Sequence, residues 1–561
     1  MAAILTLHDP AQARRYYEEG TWAGDTLYSL LLGHATGAPQ RFALRDGRYR
    51  LTYAALLDWV DTLAERLRQA GARPGCRVSV WLPNRVEAVV VLLACSRNGY
   101  VCNPSLHQNY TVAEILALLT RLESFALFAQ PGYGADAQPP ARNVPDIFEQ
   151  ALAVPGLRRV FRLSRLPDLS GGADDDFPPP QARAAPGPAP SANPDQVVYI
   201  AFTSGTTGAP KGVMHSDNTL LANARAMVAD WRLDARTVIL TLSPLSHHIA
   251  TVGIAQALVA GAELVVNAPP PGQSTLDWVH ACGATYVMGV PTHAIDLLAQ
   301  LRTRGETRLG DVKTFYMAGS PIPVETARAF LELGITPQNV YGMTENGSHQ
   351  YTLPSDDART ITETCGRAAK GYEVRIWDQV NPDVEVEPGQ VGEVGGRGAL
   401  LMLGYFGEQA ITERSFNAEG WFMSGDLGIL DRQGCLRIVG RKKDLIIRGG
   451  HNIHPAHIEN LAMRHPAVLK AAAFPVADAR LGERVCLAVI PATGWQVQPE
   501  QLLEHLQQAG LSPYDLPEYF IAMDEFPLTA SGKILKRELT EWAKSGRIRP
   551  TPVRRSALAA R

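Results

Sequence analysis

The segment 202–212 reads FTSGTTGAPKG, a run of glycines, hydroxyls and one lysine. Gly205, Gly208 and Gly212 let a backbone turn sharply and bring its N–H groups against an anion. Thr203, Ser204, Thr206 and Thr207 add hydroxyls that can donate to phosphate oxygens or ligate magnesium. Lys211 supplies a point charge for phosphate, and Pro210 stiffens the exit. The preceding VVYIAF is apolar and β-rich, so the loop hangs from a strand end. The spacing is neither Gly-x-x-x-x-Gly-Lys-Ser/Thr nor Gly-x-Gly-x-x-Gly. A polar surface loop is the ordinary explanation of a Gly/Ser/Thr cluster. The length of this one and its Pro-Lys-Gly ending favour nucleotide binding.

Four further strings carry groups that suit the same ligand. YGMTE (341–345) offers an aromatic ring for a flat base in Tyr341 and hard oxygen ligands in Thr344 and Glu345. GWFMSGDLG (420–428) holds Asp426 in an expected turn between glycines, suited to gripping two ribose hydroxyls, although a solvated turn aspartate is common. GRKKDLIIRGG (440–450) passes from charged to apolar to doubly glycine. LTASGKILKREL (528–539) places Lys533 after a Ser-Gly turn and before a helix, where a lone lysine is ordinarily a solubilising charge.

The elements that must position these groups read as α/β. The chain has 561 residues, too many for one core. A net charge of −3 speaks against a nucleic-acid partner. The seven cysteines are scattered without a Cys-x-x-Cys pair, as for free thiols in a reducing compartment. The first residues lack the charged start and long apolar run of a signal peptide, and 88–95 is too short to span a membrane, so a cytoplasmic location is expected. Residues 51–70 have helical apolar spacing with Thr52 as cap and Gly71 as stop, CRVSVWL alternates as a strand, and 84–96 is again helical. Such alternation implies mostly parallel strands. The Pro/Ala/Gly-rich 167–194 reads as an exposed, mobile linker between an N-terminal lobe and the loop-bearing lobe. The expected division is 1–440 as a large domain, 441–545 as a small one and 546–561 as a tail.

Taken in order, the five strings resemble the adenylate-forming superfamily of acyl-CoA synthetases, luciferases and peptide-synthetase adenylation domains, over nearly the whole chain. The resemblance implies an α/β fold: a large N-terminal domain of α/β subdomains with a β-barrel-like part, and a small, mobile α+β C-terminal domain. It implies ATP, Mg²⁺ and CoA as cofactors and a small-molecule carboxylic acid as partner. By the same resemblance, Thr203, Ser204, Gly205, Thr206, Thr207, Gly208 and Lys211 hold the β- and γ-phosphates. Tyr341, beside Gly342, stacks on adenine, and Asn339 contacts its exocyclic amine. Gly319 and Ser320 line the other side of the base. Glu345 with a hydroxyl of Thr206 or Thr344 holds magnesium, Asp426 and Arg441 take the ribose, and Lys533 bridges the acid and the α-phosphate. Lys443 matches the hinge about which the C-terminal domain turns, and Arg448, Gly449 and Gly450 then admit the pantetheine arm. A homodimer is the expectation carried by relatives.

The implied chemistry is two-step: a carboxylate attacks the α-phosphorus of ATP, then a thiolate displaces AMP. PLSHHIATVG (244–253) corresponds to the family pocket motif Pro-x-x-His-x-x-Gly, with His247 as its histidine, His248 as an additional polar group and Ala250 where glycine is common. Ile249, Val252, Met288, Ala318, Gly319 and Met343 are expected to line an apolar acyl cavity. No acidic anchor for an amino group is present in these strings, so a hydrophobic acid is expected, cyclic, aromatic or medium-chain. The closest flavour is of cyclohexanecarboxylate-, benzoate- or medium-chain acyl-CoA ligases. The alternatives are an acyl-AMP ligase loading a carrier protein, a non-catalytic nucleotide- or acyl-binding homologue and, more distantly, a luciferase-like oxidase. His451, His454 and His457 tempt a zinc reading, but Pro455 interrupts them and no cysteine or carboxylate cluster completes a shell. His107 and His215 are expected to be structural or surface residues.

Overall fold

The structure is a computed structural model that describes residues 4–137, 146–165, 176–180, 187–203, 210–320, 322–492, 494–528 and 534–553. Ser204, Gly205, Thr206, Thr207, Gly208 and Lys533 therefore lie outside the described residues.

Local signals in the sequence set the first elements. The Thr52 hydroxyl accepts the Ala55 N–H at 3.2 Å and starts the helix Tyr53–Gln69. That helix buries Leu56, Trp59, Val60, Leu63 and Leu67, and the chain turns at Gly71 with φ +95°. The strand Arg77–Trp81 is buried throughout, and the helix Val86–Asn98 is covered on nearly every side, which its all-round apolar sequence requires.

Four sheets organise the chain. The first has six strands, in the order Arg159–Arg162, Ser124–Ala129, Arg77–Trp81, Val101–Asn103, β1 (Val197–Thr203) and β2 (Lys211–Ser216). β1 runs parallel to Val101–Asn103 through Cys102↔Tyr199 and antiparallel to β2. The loop-bearing strands thus complete the N-terminal sheet, and the Pro-rich segment does not divide the chain into separate lobes. The described pieces of that segment are also anchored rather than free. Phe177 is buried edge-on against Trp59 and Phe128, with ring centroids 5.6 and 5.8 Å away, and the Trp59 indole donates to the Pro178 carbonyl at 2.7 Å. An aromatic side chain large enough to fill a gap in the core overrides the extended character of its prolines.

The second sheet carries the site. It has nine strands, and its central five are β3 (Val238–Thr241), β4 (Glu263–Val266), β5 (Tyr286–Gly289), β6 (Thr314–Met317) and β7 (Thr336–Met343). They lie in the spatial order β7-β6-β5-β3-β4 with every pair parallel, so all five carboxyl ends open on one edge. The hairpin Phe42–Arg45/Arg50–Thr52 extends this sheet beyond β4 through the parallel pair Leu44↔Leu264. A third sheet, of four antiparallel strands, is formed by Tyr372–Trp377, Gly392–Gly398, β8 (Phe422–Leu430) and β9 (Leu436–Arg441).

After β9 a short turn, Lys442–Asp444, leads to the last sheet, of six strands, formed by residues 446–552. It has a core of its own around Ile446, Ile453, Ile458, Leu487 and Phe520, as an autonomously packed domain needs. All seven cysteines are free. Among the described residues no helix is long and apolar enough to cross a membrane.

Candidate functional site

Asp426 and Arg441 meet because β8 and β9 pair them directly across the ladder. Arg441 Nε donates to Asp426 Oδ1 at 2.9 Å, and the Tyr341 hydroxyl, from the end of β7, donates to Oδ2 at 2.9 Å. The expected turn around Asp426 is instead the interior of β8; Gly425, at φ +76°, is accommodated within the strand. Each carboxylate oxygen keeps a further lone pair for a ligand hydroxyl. The Asp426 charge raises the Arg441 pKa, while burial and Asp426 push the Tyr341 phenol well above its usual value, so it remains a donor. Gly342 follows because the hairpin closes so tightly that a Cβ there would collide with the Gly347 carbonyl oxygen. Asn339 is less available than expected: it is buried, and its side-chain amide donates to the Ile361 carbonyl at 3.3 Å.

Beside this cluster Tyr405 joins Glu345 to Lys211. Its hydroxyl donates to Glu345 Oε1 at 2.9 Å, and Lys211 Nζ lies 4.6 Å from the centroid of its ring. Burial pushes the Glu345 carboxyl up and the Lys211 ammonium down, so both charges are held short of water. A partly buried carboxylate in this state suits a hard cation. His215 fixes the neighbouring backbone, its Nε2–H donating to the Thr344 carbonyl at 2.6 Å. Tyr405 and His215 are functional neighbours that no string in the sequence singles out.

The open edge of the second sheet leads into a cavity of about 550 Å³. Its wall follows the strand ends in order: Gly342–Thr344 from β7, Ala318 and Gly319 from β6, Val290, Thr292 and His293 after β5, Leu242–Pro244 after β3, and Asn267 after β4. His247, His248 and Ile249 close one side. Gly319 takes φ +93°, Ser320 is exposed, and Ala318 and Met343 stand where expected. Val252 and Met288 do not: both are packed in the core behind the wall, where Met288 lies against Gly253. Ala250 is likewise fully buried, so its methyl leaves the cavity depth alone. The wall is also more polar than expected, since the residues just after parallel strands are loop residues with hydrogen-bonding side chains.

Burial keeps His107, His215 and His248 neutral there. His247 stacks on His107 at 4.4 Å, and His107 Nδ1 lies 2.9 Å from the Ser246 hydroxyl. His248 stacks on His215 at 5.2 Å and sits 3.3 Å from the Tyr199 hydroxyl. Burial drives His107 down to about 3, His215 to about 4 and His248 well below its usual value. His107 and His215 are structural, as expected, but they are structural for the site.

The C-terminal domain reaches this cavity through Leu528, which lies on its wall and pairs with Ile534 across an antiparallel bridge. Lys443 is exposed in the turn after β9. Arg448 forms an ion pair with Glu518 at 2.7 Å and donates to the Tyr514 carbonyl at 2.8 Å. Gly449 and Gly450 have φ +57° and +85°, and nothing lies within 4 Å of a Cβ built on Gly450. In the histidine string, His451 pairs with Asp515 at 2.7 Å.

Residues 32–406 match the AMP-binding enzyme family and 457–533 the AMP-binding enzyme C-terminal domain. The chain belongs to this family. It is similar to the medium-chain fatty-acid–CoA ligase of Escherichia coli, 30% identical over 545 residues that cover 96% of this chain and 93% of that protein. It is similar to a salicylyl-CoA synthase / salicylate adenylyltransferase of a Streptomyces species, at 34% identity over 94% of this chain and 96% of the relative. Among solved structures, the ATP-bound MatB of Rhodopseudomonas palustris superposes with a TM-score of 0.79 at 27% identity, covering 92% of this chain and 99% of that one. The chain is an AMP-forming acid–thiol ligase of the adenylate-forming superfamily, with the large and small α/β domains of that fold.

Proposed function

We propose that this ligase is an ATP-dependent acyl-CoA synthetase that adenylates a hydrophobic carboxylic acid, cyclic, aromatic or medium-chain, and passes the acyl group to CoA. The observation that carries the reading is that Gly342–Thr344, on the cavity wall at the end of β7, lie between Tyr341 of the Tyr341–Asp426–Arg441 cluster and Glu345 of the Lys211–Tyr405–Glu345 cluster, so both clusters adjoin the cavity. The first cluster would hold the ribose and the base. The second, with the 203–208 loop, would hold the phosphates. Glu345 would hold magnesium, which would supply positive charge to the phosphates. The cavity would hold the acid.

The first step joins two anions. A carboxylate oxygen attacks the α-phosphorus, the bond to the β-phosphate bridge breaks, and pyrophosphate leaves. Lys211 and Lys533 bring positive charge to the atoms where negative charge develops. In the second step the CoA thiolate attacks the acyl carbon and AMP departs. Lys533 is needed only in the first, and the exposed joint at Lys443 lets the C-terminal domain exchange it for the Gly449–Gly450 face. The open space at Gly450 gives a pantetheine arm room to approach.

The test is pyrophosphate release and thioester formation from a panel of aromatic and medium-chain acids, with CoA or a phosphopantetheinyl carrier protein. Turnover with CoA supports the reading, carrier-only turnover replaces it with an acyl-AMP ligase, and silence with every acid removes it. Lys533→Ala should lose adenylate formation yet still convert supplied acyl-adenylate to thioester. Gly450→Leu, forcing a branched side chain into a left-handed backbone, should do the reverse. Equal loss of both half-reactions in Lys533→Ala would exclude the domain exchange.

A further inference from the structure

The far end of the cavity holds a recognition group that the protein itself does not use. Asn267 follows β4, the last of the five site strands and the farthest from β7. Its backbone is fixed: its N–H donates to the Thr241 carbonyl at 3.2 Å, and its carbonyl accepts from Asn84 Nδ2 at 3.3 Å. Asn84 ties this end to the histidine segment, its Oδ1 accepting the Leu245 N–H at 2.9 Å. The Gly47 N–H donates to the Ala268 carbonyl at 2.7 Å and pins the next residue. Yet the side-chain oxygen of Asn267, out of reach of water, has no hydrogen-bond partner. A buried acceptor left unpaired is costly and rare. Asn267 lies on the cavity wall, and the last torsion of an asparagine is broad and roughly two-fold, so rotation about it can turn the oxygen or, after a half-turn, the nitrogen towards the cavity.

Two features of the cavity wall narrow what could meet it. His293 Nδ1 accepts the Val290 N–H at 3.3 Å, and burial lowers its pKa, so the neutral ring carries its proton on Nε2 as a donor. No Asp, Glu, Lys or Arg is among the described residues of the wall. A second charge on the acid would be left without a partner, whereas a hydroxyl can donate and accept at once. Strand spacing gives the length. From the β6 end, where the carboxylate would meet the α-phosphate, to the β4 end is three intervals, or roughly 14 Å between backbones. That leaves room for a ring between the flanking side chains.

We propose that Asn267 is the specificity-determining residue at the far end of the acid cavity, and that it reads a hydroxyl carried by the acid opposite its carboxylate. The inference rests on the acyl-CoA synthetase reading above and names its substrate class: uncharged, hydroxyl-tailed aromatic acids.

The experiment compares kcat/KM for 4-hydroxycinnamate, cinnamate and 2-hydroxycinnamate with wild-type enzyme and with Asn267→Leu. Wild type should prefer the 4-hydroxy acid over cinnamate by about five- to tenfold, the range expected for one hydrogen bond. The 2-hydroxy acid should gain no such advantage. Asn267→Leu should invert the order, with cinnamate used better than by wild type, a gain that misfolding cannot mimic. Equal use of 4-hydroxycinnamate and cinnamate by wild type, or a ratio unchanged in Asn267→Leu, overturns the assignment while leaving the ligase intact. Absence of pyrophosphate release with every acid, by contrast, removes the synthetase reading and this inference with it.

Discussion

On the proposed nucleotide side of the site, Tyr341, Asp426 and Arg441 hold one another through hydrogen bonds of 2.9 Å, and Lys211 and Glu345 share Tyr405. On the proposed acid side, the rings of His107 and His247 stack at 4.4 Å, burial keeps His107 neutral, and Asn267 has a side-chain oxygen with no partner. The first region is charged and already assembled through antiparallel pairing. The second is uncharged and open, built from loops that leave parallel strands. In the proposed reading the ligand common to every turnover meets Tyr341, Asp426 and Arg441 already bonded to one another, which keeps the cost of organising that charge out of the reaction. The variable ligand is met by shape and single hydrogen bonds, which change specificity without touching the charges.

This contrast can be broken experimentally. The largest effect belongs to Glu345→Gln, which removes the buried negative charge but keeps the shape. Adenylation should fall by about 10²–10³, while thioester formation from supplied acyl-adenylate stays near wild type; equal loss in both would mean that Glu345 serves the whole fold. Next comes pH. Because burial raises the Glu345 carboxyl, it takes up a proton at higher pH than an ordinary glutamate, so kcat/KM for ATP should drop by up to tenfold per unit as pH falls through that range. His107 and His215, at about 3 and 4, and His248, pushed well below its usual value, stay neutral above pH 5, so their contribution to the KM for the acid should be flat from 5 to 8. A parallel decline of both profiles would erase the distinction. Tyr341→Phe deletes one hydrogen bond to a charged oxygen and should raise the KM for ATP roughly tenfold, with the KM for the acid unchanged. The smallest effect is His107→Phe, which keeps the stack on His247 but loses Ser246. It should raise the KM for the acid by about threefold and leave ATP alone.

The charged half was largely legible because its groups sit in short strings. YGMTE and GRKKD carry their meaning within a few residues, as does the helix Tyr53–Gln69 with its Thr52 cap. What the residues could not reveal is set by partners far along the chain. Ser246 is 139 residues from His107 and Thr344 is 129 from His215. Glycines on both sides of Asp426 suggest a turn, whereas pairing with β9 holds that stretch as strand. Val252 and Met288 are apolar and close to the motif, but helix and strand phase point them into the core, and apolar character alone does not separate a cavity wall from the layer behind it. The proline-rich run hid Phe177, because composition averages away the one side chain that docks.

The two large sheets trade strands. The hairpin at 42–52 completes a sheet whose other members lie beyond residue 230, and β1 and β2 complete one whose other members lie before 165. A gene split between residues 180 and 187 would therefore encode two polypeptides that each carry unfinished edges. Such edges recruit whatever strand is at hand, so the halves should be insoluble when made separately and recover ligase activity when made together.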